Sequence, residues 1–253
     1  HVHATSFDRS SDQNIDTRVY EIEKKGMEAA DRVITVSDLT RNIVITKYGI
    51  NPDKVVTVHN AVDFSGRSEM KVERGVDDKV VTFLGRITFQ KGPEYFIEAA
   101  AKVLKRCPGV RFVMAGSGDM MNRSIRQVAR LGISDRFHFT GFLRGTDVQK
   151  MFALSDVYVM PSVSEPFGIS PLEAMRSGVP SVISHQSGAA EVLKYAFKVD
   201  FWDVDAMADQ IYALLKYPAL ADFASKYGYD EVNTLKWNNA AAKIKKVYES
   251  VIK

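Results

Sequence analysis

The sequence has almost no cysteine: Cys107 stands alone, so no disulfide can form within the chain. That excludes the disulfide-stapled scaffolds and fits a reducing, cytoplasmic setting. No apolar run reaches the roughly 18 residues a membrane-spanning helix needs, and no secretory signal pattern is visible. Neither sign of charge dominates. The 34 basic and 31 acidic residues leave a formal net charge of +3, too even to argue for nucleic acid. A G-x-G-x-x-G fingerprint, a P-loop and a nucleophile elbow are all missing, which argues against a dehydrogenase first of all. The five histidines, His1, His3, His59, His138 and His185, show no metal-ligand spacing. His138 lies within a strand pattern and reads as structural. Asp203-Val204-Asp205 matches a D-x-D metal pattern, but it precedes a helical segment, where Asp205 is more simply an N-cap. We therefore expect no metal. The opening HVHATSFDRS has no Met and no lead-in strand, and reads as a sequence entered in mid-domain.

What is present is an ordinary globular composition over 253 residues, 45% hydrophobic and 26% charged, enough for one large or two ordinary domains. Short β-branched runs alternate with helical patterns. The runs are RVITVS (32–37), KVVTVH (54–59), KVVTFLG (79–85), VRFVMAG (110–116), RFHFTG (136–141), DVYVMP (156–161), PSVIS (180–184) and AFKVD (196–200). Several are nearly all apolar, as strands are when both sheet faces are covered. Two fall before residue 65 and six after residue 78. Helices are expected after Ser37, ending at Tyr48-Gly49, and from Pro93 to about Cys107. Beyond Asp203 the chain reads as all helical, and its last piece sets Trp237, Ile244, Val247, Tyr248 and Val251 near one stripe. The alternation predicts an α/β fold, a Rossmann-like doubly wound parallel sheet. Ligands of such sheets bind at the carboxyl ends of the strands, so the turns there hold the candidate residues.

After the third run, G-R-I-T-F-Q-K-G offers Arg86 and Lys91 with Gly85 and Gly92, a set suited to a diphosphate or simply to a solvated loop. After the fourth, Gly116-Ser117-Gly118-Asp119 either admits a ligand or makes a tight turn. After the fifth, Thr140-Gly141-Phe142-Leu143 is an apolar ledge beside a bare glycine, able to receive a flat base or to close the core. After the sixth comes SEPFGISPLEAM, with two carboxylates eight positions apart. Ser170, Pro171 and Glu173 form a helix start, with Ser170 as N-cap and Glu173 placed to cap its amide. Glu165 has no such structural reason. It precedes Pro166, in extended or turn backbone, with the amides of Phe167, Gly168 and Ile169 beside it. A carboxylate next to free amides grips hydroxyls and anionic oxygens together, which is what a sugar needs.

Taken together these residues resemble the retaining glycosyltransferases of family 4, with the two-Rossmann-domain GT-B fold. ADRVITVS (30–37) and HNAVD (59–63) are similar to its late N-domain landmarks. GRITFQKG (85–92), AGSG (115–118), FTGFL (139–143), SDVYVMPS (155–162), EPFGISPLEAM (165–175) and GVP (178–180) are similar to its C-domain landmarks. The E-x7-E element is the most specific of them. The resemblance implies a partial N-terminal domain over 1–65, a linker over 66–78, a nucleotide-sugar domain over 79–233 and a crossing helix over 234–253. It implies that Arg86 and Lys91 hold the donor diphosphate and that the Phe139–Leu143 segment meets the base. Glu165 would bind donor-sugar hydroxyls, Glu173 the ribose, and His3 would match the N-domain histidine near the sugar. The implied reaction moves a hexose, glucose first, from a UDP- or ADP-sugar to a carbohydrate or glycolipid, with no cofactor and no metal. A non-catalytic nucleotide-sugar-binding fragment, and a sugar-nucleotide epimerase or phosphorylase of the same fold, are the alternatives. The chain departs from the family at Asn60-Ala61, where Asn-Gly is usual. A homodimer and a peripheral membrane contact are compatible with the expectation that the last helix keeps an exposed stripe. Nucleic acid is not an expected partner.

Overall fold

All eight β-branched runs form strands. The structure, a computed structural model, describes residues 1–9, 15–62, 72, 75 and 77–252. The segment expected as a linker, 66–78, falls mostly outside them. Strands β1 (Val33–Thr35) and β2 (Val55–Thr57) pair in parallel, and Val2 bridges to Thr35 on the other side of β1. Strands β3 (Lys79–Leu84), β4 (Val110–Ala115), β5 (Phe137–Gly141), β6 (Val157–Met160), β7 (Ser181–Ser184) and β8 (Phe197–Val199) form an all-parallel sheet in the order β5-β4-β3-β6-β7-β8. The chain winds outward from β3 to β5, then returns to lay β6 against the other edge of β3. The crevice between β3 and β6 is therefore the topological switch point, where ligands of open α/β sheets bind.

Helices α1 (Ser6–Arg9) and α2 (Thr17–Ala29) precede β1, and α3 (Asp38–Tyr48) joins it to β2. Ser37 caps α3 by accepting from the Thr40 N–H, and Gly49 ends it with φ of 70°. In the larger unit α4 (Pro93–Arg106), α5 (Met121–Arg130), α6 (Thr146–Leu154), α7 (Ser170–Arg176) and α8 (Ala189–Val192) connect successive strands. They are followed by α9 (Val204–Lys216), α10 (Pro218–Val232) and α11 (Trp237–Glu249). Side chains alternate across the sheet. Val157 and Val159 enter a core shared with α4, α5 and α9, while Tyr158 and Met160 enter one shared with α6, α7, α8 and α10. That two-sided burial is why the strands read as continuous apolar runs.

Three expectations change here. Asp203, not Asp205, caps α9, accepting from the Ala206 N–H at 2.9 Å. Asp205 lies one step inside the helix and pairs with Lys102 at 2.6 Å. His138 is exposed on the edge strand β5, beside the Arg111 guanidinium at 3.1 Å. The stripe on α11 is covered in part: Ile244 and Val247, with Ala240, pack on Ile34, Val56 and Val58 of the two-stranded sheet. Trp237, Tyr248 and Val251 stay exposed.

The seam between the two sheets is tied by polar groups. The Glu191 carboxylate accepts from the N–H groups of Asp38 at 2.8 Å and Leu39 at 2.7 Å, capping α3 from 153 residues away, and meets His59 Nε2 at 2.7 Å. Beside it Gly188 is packed so closely that a Cβ would lie 2.4 Å from the Pro166 carbonyl oxygen and 2.5 Å from Ser37 Cβ. Gly188→Ala should therefore destabilise the fold by about 1–3 kcal/mol. Thermal denaturation reads this, and an unchanged melting temperature would show that the seam is not tight.

Candidate functional site

Because the larger sheet is all parallel, the loops after β3, β4, β5 and β6 emerge on one side. Backbone hydrogen bonds lace three of them together. Gly85 N–H donates to the Ala115 carbonyl (3.0 Å), Ile87 N–H to Ser117 (2.9 Å) and Gly116 N–H to Gly141 (2.8 Å). The two glycines after β4 serve this lacing. Gly116 has φ of 145°, and a Cβ there would fall 1.8 Å from the Gly85 carbonyl oxygen; at Gly118 it would fall 2.2 Å from that of Ile87. The tight-turn reading of Gly118 is thus the structural one, and it lines neither of the two chambers above the strand ends.

Two adjoining chambers open above the strand ends, sharing Leu84, Gly85 and Arg86 as their common wall. The larger, about 680 Å³, is lined by Arg86, Gln90, Lys91 and the run from Glu165 to Ser170, and across from them by His3, Ala4, Arg9 and Asn60. Lys91 ends a short 3-10 turn, and Gly92 (φ of 61°) presses that turn against the end of β6, where a Cβ would lie 2.2 Å from the Pro161 carbonyl oxygen. The loop carrying Glu165 is fixed in turn by Val163 N–H donating to the Gln90 carbonyl at 2.9 Å and Glu165 N–H to that of Gln186 at 2.9 Å. So held, the Lys91 ammonium donates to Glu165 Oε2, which also accepts from Ser162 Oγ at 3.3 Å. Glu165 is only 7% exposed. Among the described residues its Oε1 accepts no hydrogen bond, and the N–H groups of Gly168, Ile169 and Ser170 donate none. Arg86 is oriented by Gln90 Oε1 at 3.0 Å and pairs with no carboxylate among the described residues.

The smaller chamber, about 480 Å³, is lined by Gly116, Ser117, Phe142, Leu143, Gln149, Glu173 and Arg176 among others. Phe142 is 63% exposed, with the Arg144 guanidinium 5.0 Å from its ring centroid. Thr140 and Gly141 do not line it. Thr140 instead lines a separate apolar groove with Val80, Thr82 and Val113, at the point where β5 slips register against Met114 and Ala115, while Gly141 serves by its carbonyl. The expected cap is also absent. Helix α7 starts one residue earlier, with Ile169 at its cap position, so Ser170 is already helical. The Ser170 hydroxyl instead accepts from the Tyr158 O–H at 2.7 Å, and burial pushes that phenol well up. Glu173 is left free to face the chamber. Burial raises its carboxyl above the ordinary range, against a smaller downward pull from Arg176.

His3 is held in place: Val2 N–H donates to the Ile34 carbonyl at 2.8 Å, which fixes the segment beside β1. Arg9, at the end of α1, and Asn60, after β2, were not foreseen, because only the fold brings them to the crevice; Gln90, beside Lys91, carries no charge to single it out. Folding also gathers Asp38, His59 and Glu191 within 4.8 Å of one another, which spacing along the chain did not reveal. The Glu191 oxygens there are taken up by α3 amides and His59.

A parallel sheet with its crevice at this switch point, joined to a second parallel sheet, matches the GT-B glycosyltransferase structures. Sucrose-phosphate synthase from Thermosynechococcus elongatus superposes with a TM-score of 0.83 over 98% of this chain and 66% of its own, at 23% identity. HepE of Anabaena, solved in complex with UDP-glucose, superposes with 0.86 over 99% and 71%, at 20% identity. The chain belongs to the family described as Glycosyl transferases group 1, whose model matches residues 67–231. A second model, described as Glycosyltransferase Family 4, matches residues 1–65. Among curated relatives, an uncharacterized glycosyltransferase of Methanocaldococcus jannaschii is 37% identical over 65% of this chain and 45% of its own length. The D-inositol 3-phosphate glycosyltransferase of Mycobacterium marinum is 30% identical over 91% of this chain and 52% of its own. The chain thus spans about half the length of these two relatives.

The raised carboxyl of Glu173 has a consequence for stability. A group whose folded pKa lies above its unfolded one stabilises fully below the unfolded value and loses that contribution as pH rises through the folded value. Ionised Glu173 therefore burdens the fold at neutral pH. Glu173→Gln should raise the melting temperature at about pH 7, and the gain should vanish at about pH 4 as the native side chain takes up its proton. Equal melting temperatures at both would show that the carboxylate is not desolvated.

Proposed function

We propose that this chain carries the donor site of a retaining glycosyltransferase, which moves a hexose from a nucleotide-diphosphate sugar to a carbohydrate or glycolipid acceptor. The observation that carries this reading is the Lys91–Glu165 pair at the switch point, with Arg86 on the wall between two chambers. A nucleotide-sugar is chemically two-ended, with hydroxyls at each end and two phosphates at its middle. Here cations flank the middle and a carboxylate stands in each chamber. In this arrangement Arg86 and Lys91 meet the diphosphate, aided by the open amides at the start of α7. Glu165 Oε1 accepts from a sugar hydroxyl. Glu173 accepts from the ribose, and Phe142 and Leu143 give the base an apolar ledge. His3 faces the sugar from the opposite wall.

In the transfer step the acceptor oxygen bonds to the anomeric carbon as the bond from that carbon to the diphosphate oxygen breaks. The electron pair of the broken bond stays with the diphosphate, where Arg86 and Lys91 stabilise it. The acceptor proton passes to the departing diphosphate on the same face, so the configuration at the anomeric carbon is retained. Glucose on UDP is the first donor to test, in keeping with the UDP-glucose held by HepE; ADP-glucose is the second. Glu165→Gln should lower transfer by about a hundredfold or more while UDP still binds and the melting temperature is kept. Turnover equal to that of the unaltered chain would remove Glu165 from its role.

A further inference from the structure

The larger chamber carries one cation that the donor reading does not use. Arg9, at the end of α1, lines it together with His3 and Ala4 of the N-terminal segment. The same residue, with His3 and Ala4, also lines a third cavity of about 380 Å³. These three residues form a partition between the two spaces. The third cavity has an apolar floor of Ile22, Gly26, Met27 and Ala30, with no strand end of the larger sheet among its lining residues.

The charge on Arg9 is not neutralised by its neighbours. The Asp8 carboxylate points inward: Oδ2 accepts from the Thr5 N–H at 2.7 Å and the Thr5 hydroxyl at 2.9 Å, and Oδ1 from Ser164 Oγ at 2.8 Å. Asp8 is 2% exposed, and through Ser164 it fastens α1 to the loop bearing Glu165. Glu23, the acid in the third cavity, has Oε2 filled by the Ser6 N–H and hydroxyl and by the Tyr48 hydroxyl. Arg9 makes no ion pair with any described residue. An unpaired guanidinium on a concave wall raises the local concentration of anions and can grip one with two parallel bonds.

We infer that the acceptor bears an anionic group, a phosphate or a carboxylate, which Arg9 binds at this partition while the acceptor body occupies the third cavity. This rests on the donor reading above, since the acceptor hydroxyl must reach the sugar that Lys91 and Glu165 hold. The donor phosphates have their own cations in Arg86 and Lys91. A second anion, arriving from the α1 side, is the chemistry left for Arg9.

Calorimetry tests this in two arms. UDP is titrated first and reports the donor site by itself; no UDP binding would overturn the donor reading alone. Inorganic phosphate and acetate are then titrated into the protein with and without saturating UDP. With UDP bound, one of the two anions should still bind, should weaken at least tenfold in Arg9→Gln, and should recover in part in Arg9→Lys, with UDP affinity unchanged throughout. The anion that responds names the acceptor group. Equal affinity in Arg9→Gln, or failure of both anions to bind the UDP-loaded protein, overturns the inference.

Discussion

The contact on which the site depends is the ion pair between Lys91 and Glu165. Taking both charges out of water is expensive, and an apolar pair of similar size would pack the same space at lower cost. The chain nonetheless builds considerable structure to hold them: a 3-10 turn, a positive-φ glycine seated on the end of β6, and two backbone hydrogen bonds that fix the Glu165 loop. Such a pair keeps each partner aimed at the crevice. It also leaves one carboxylate oxygen and a row of amides unspent, which is where a polar guest adds its own bonds.

Around that pair the architecture works by elimination of side chains. Gly116, Gly118, Gly92 and Gly188 each stand where a Cβ would collide with backbone or with a neighbouring element. Removing those atoms lets four loops and the seam draw together, and the chambers are the space the loops enclose. The glycines thus shape the site through protein-protein packing, and only Gly116 among them also touches a chamber wall.

The fold was legible because both faces of the larger sheet are covered, so each strand announces itself as an apolar run. The candidate site was legible where it lies in strand-end loops: Arg86, Lys91, Glu165 and Glu173 fall in two chambers that share a wall. Orientation was not legible. Thr140 falls where β5 slips register against Met114 and Ala115, and it lines a groove apart from the base ledge. Whether Glu173 caps a helix or faces a ligand depends on a start displaced by one residue. Neither shift leaves a mark on residue type. Arg9, Asn60 and the meeting of His59 with Glu191 were hidden for another reason: they join parts of the chain that no local pattern relates.

The cover that α11 gives to Ile34, Val56 and Val58 has a consequence for the order in which the protein matures. The strands beneath it are made before the larger sheet, and the helix is made after it. The cap that Glu191 lends to α3 likewise arrives long after that helix has been made. Domains usually complete themselves from the amino end as synthesis proceeds. Here the two-stranded sheet waits, apolar side outward, for a helix made only after the larger sheet. A nascent chain stalled before residue 237 would hold a larger sheet already covered on both faces and a smaller one still bare.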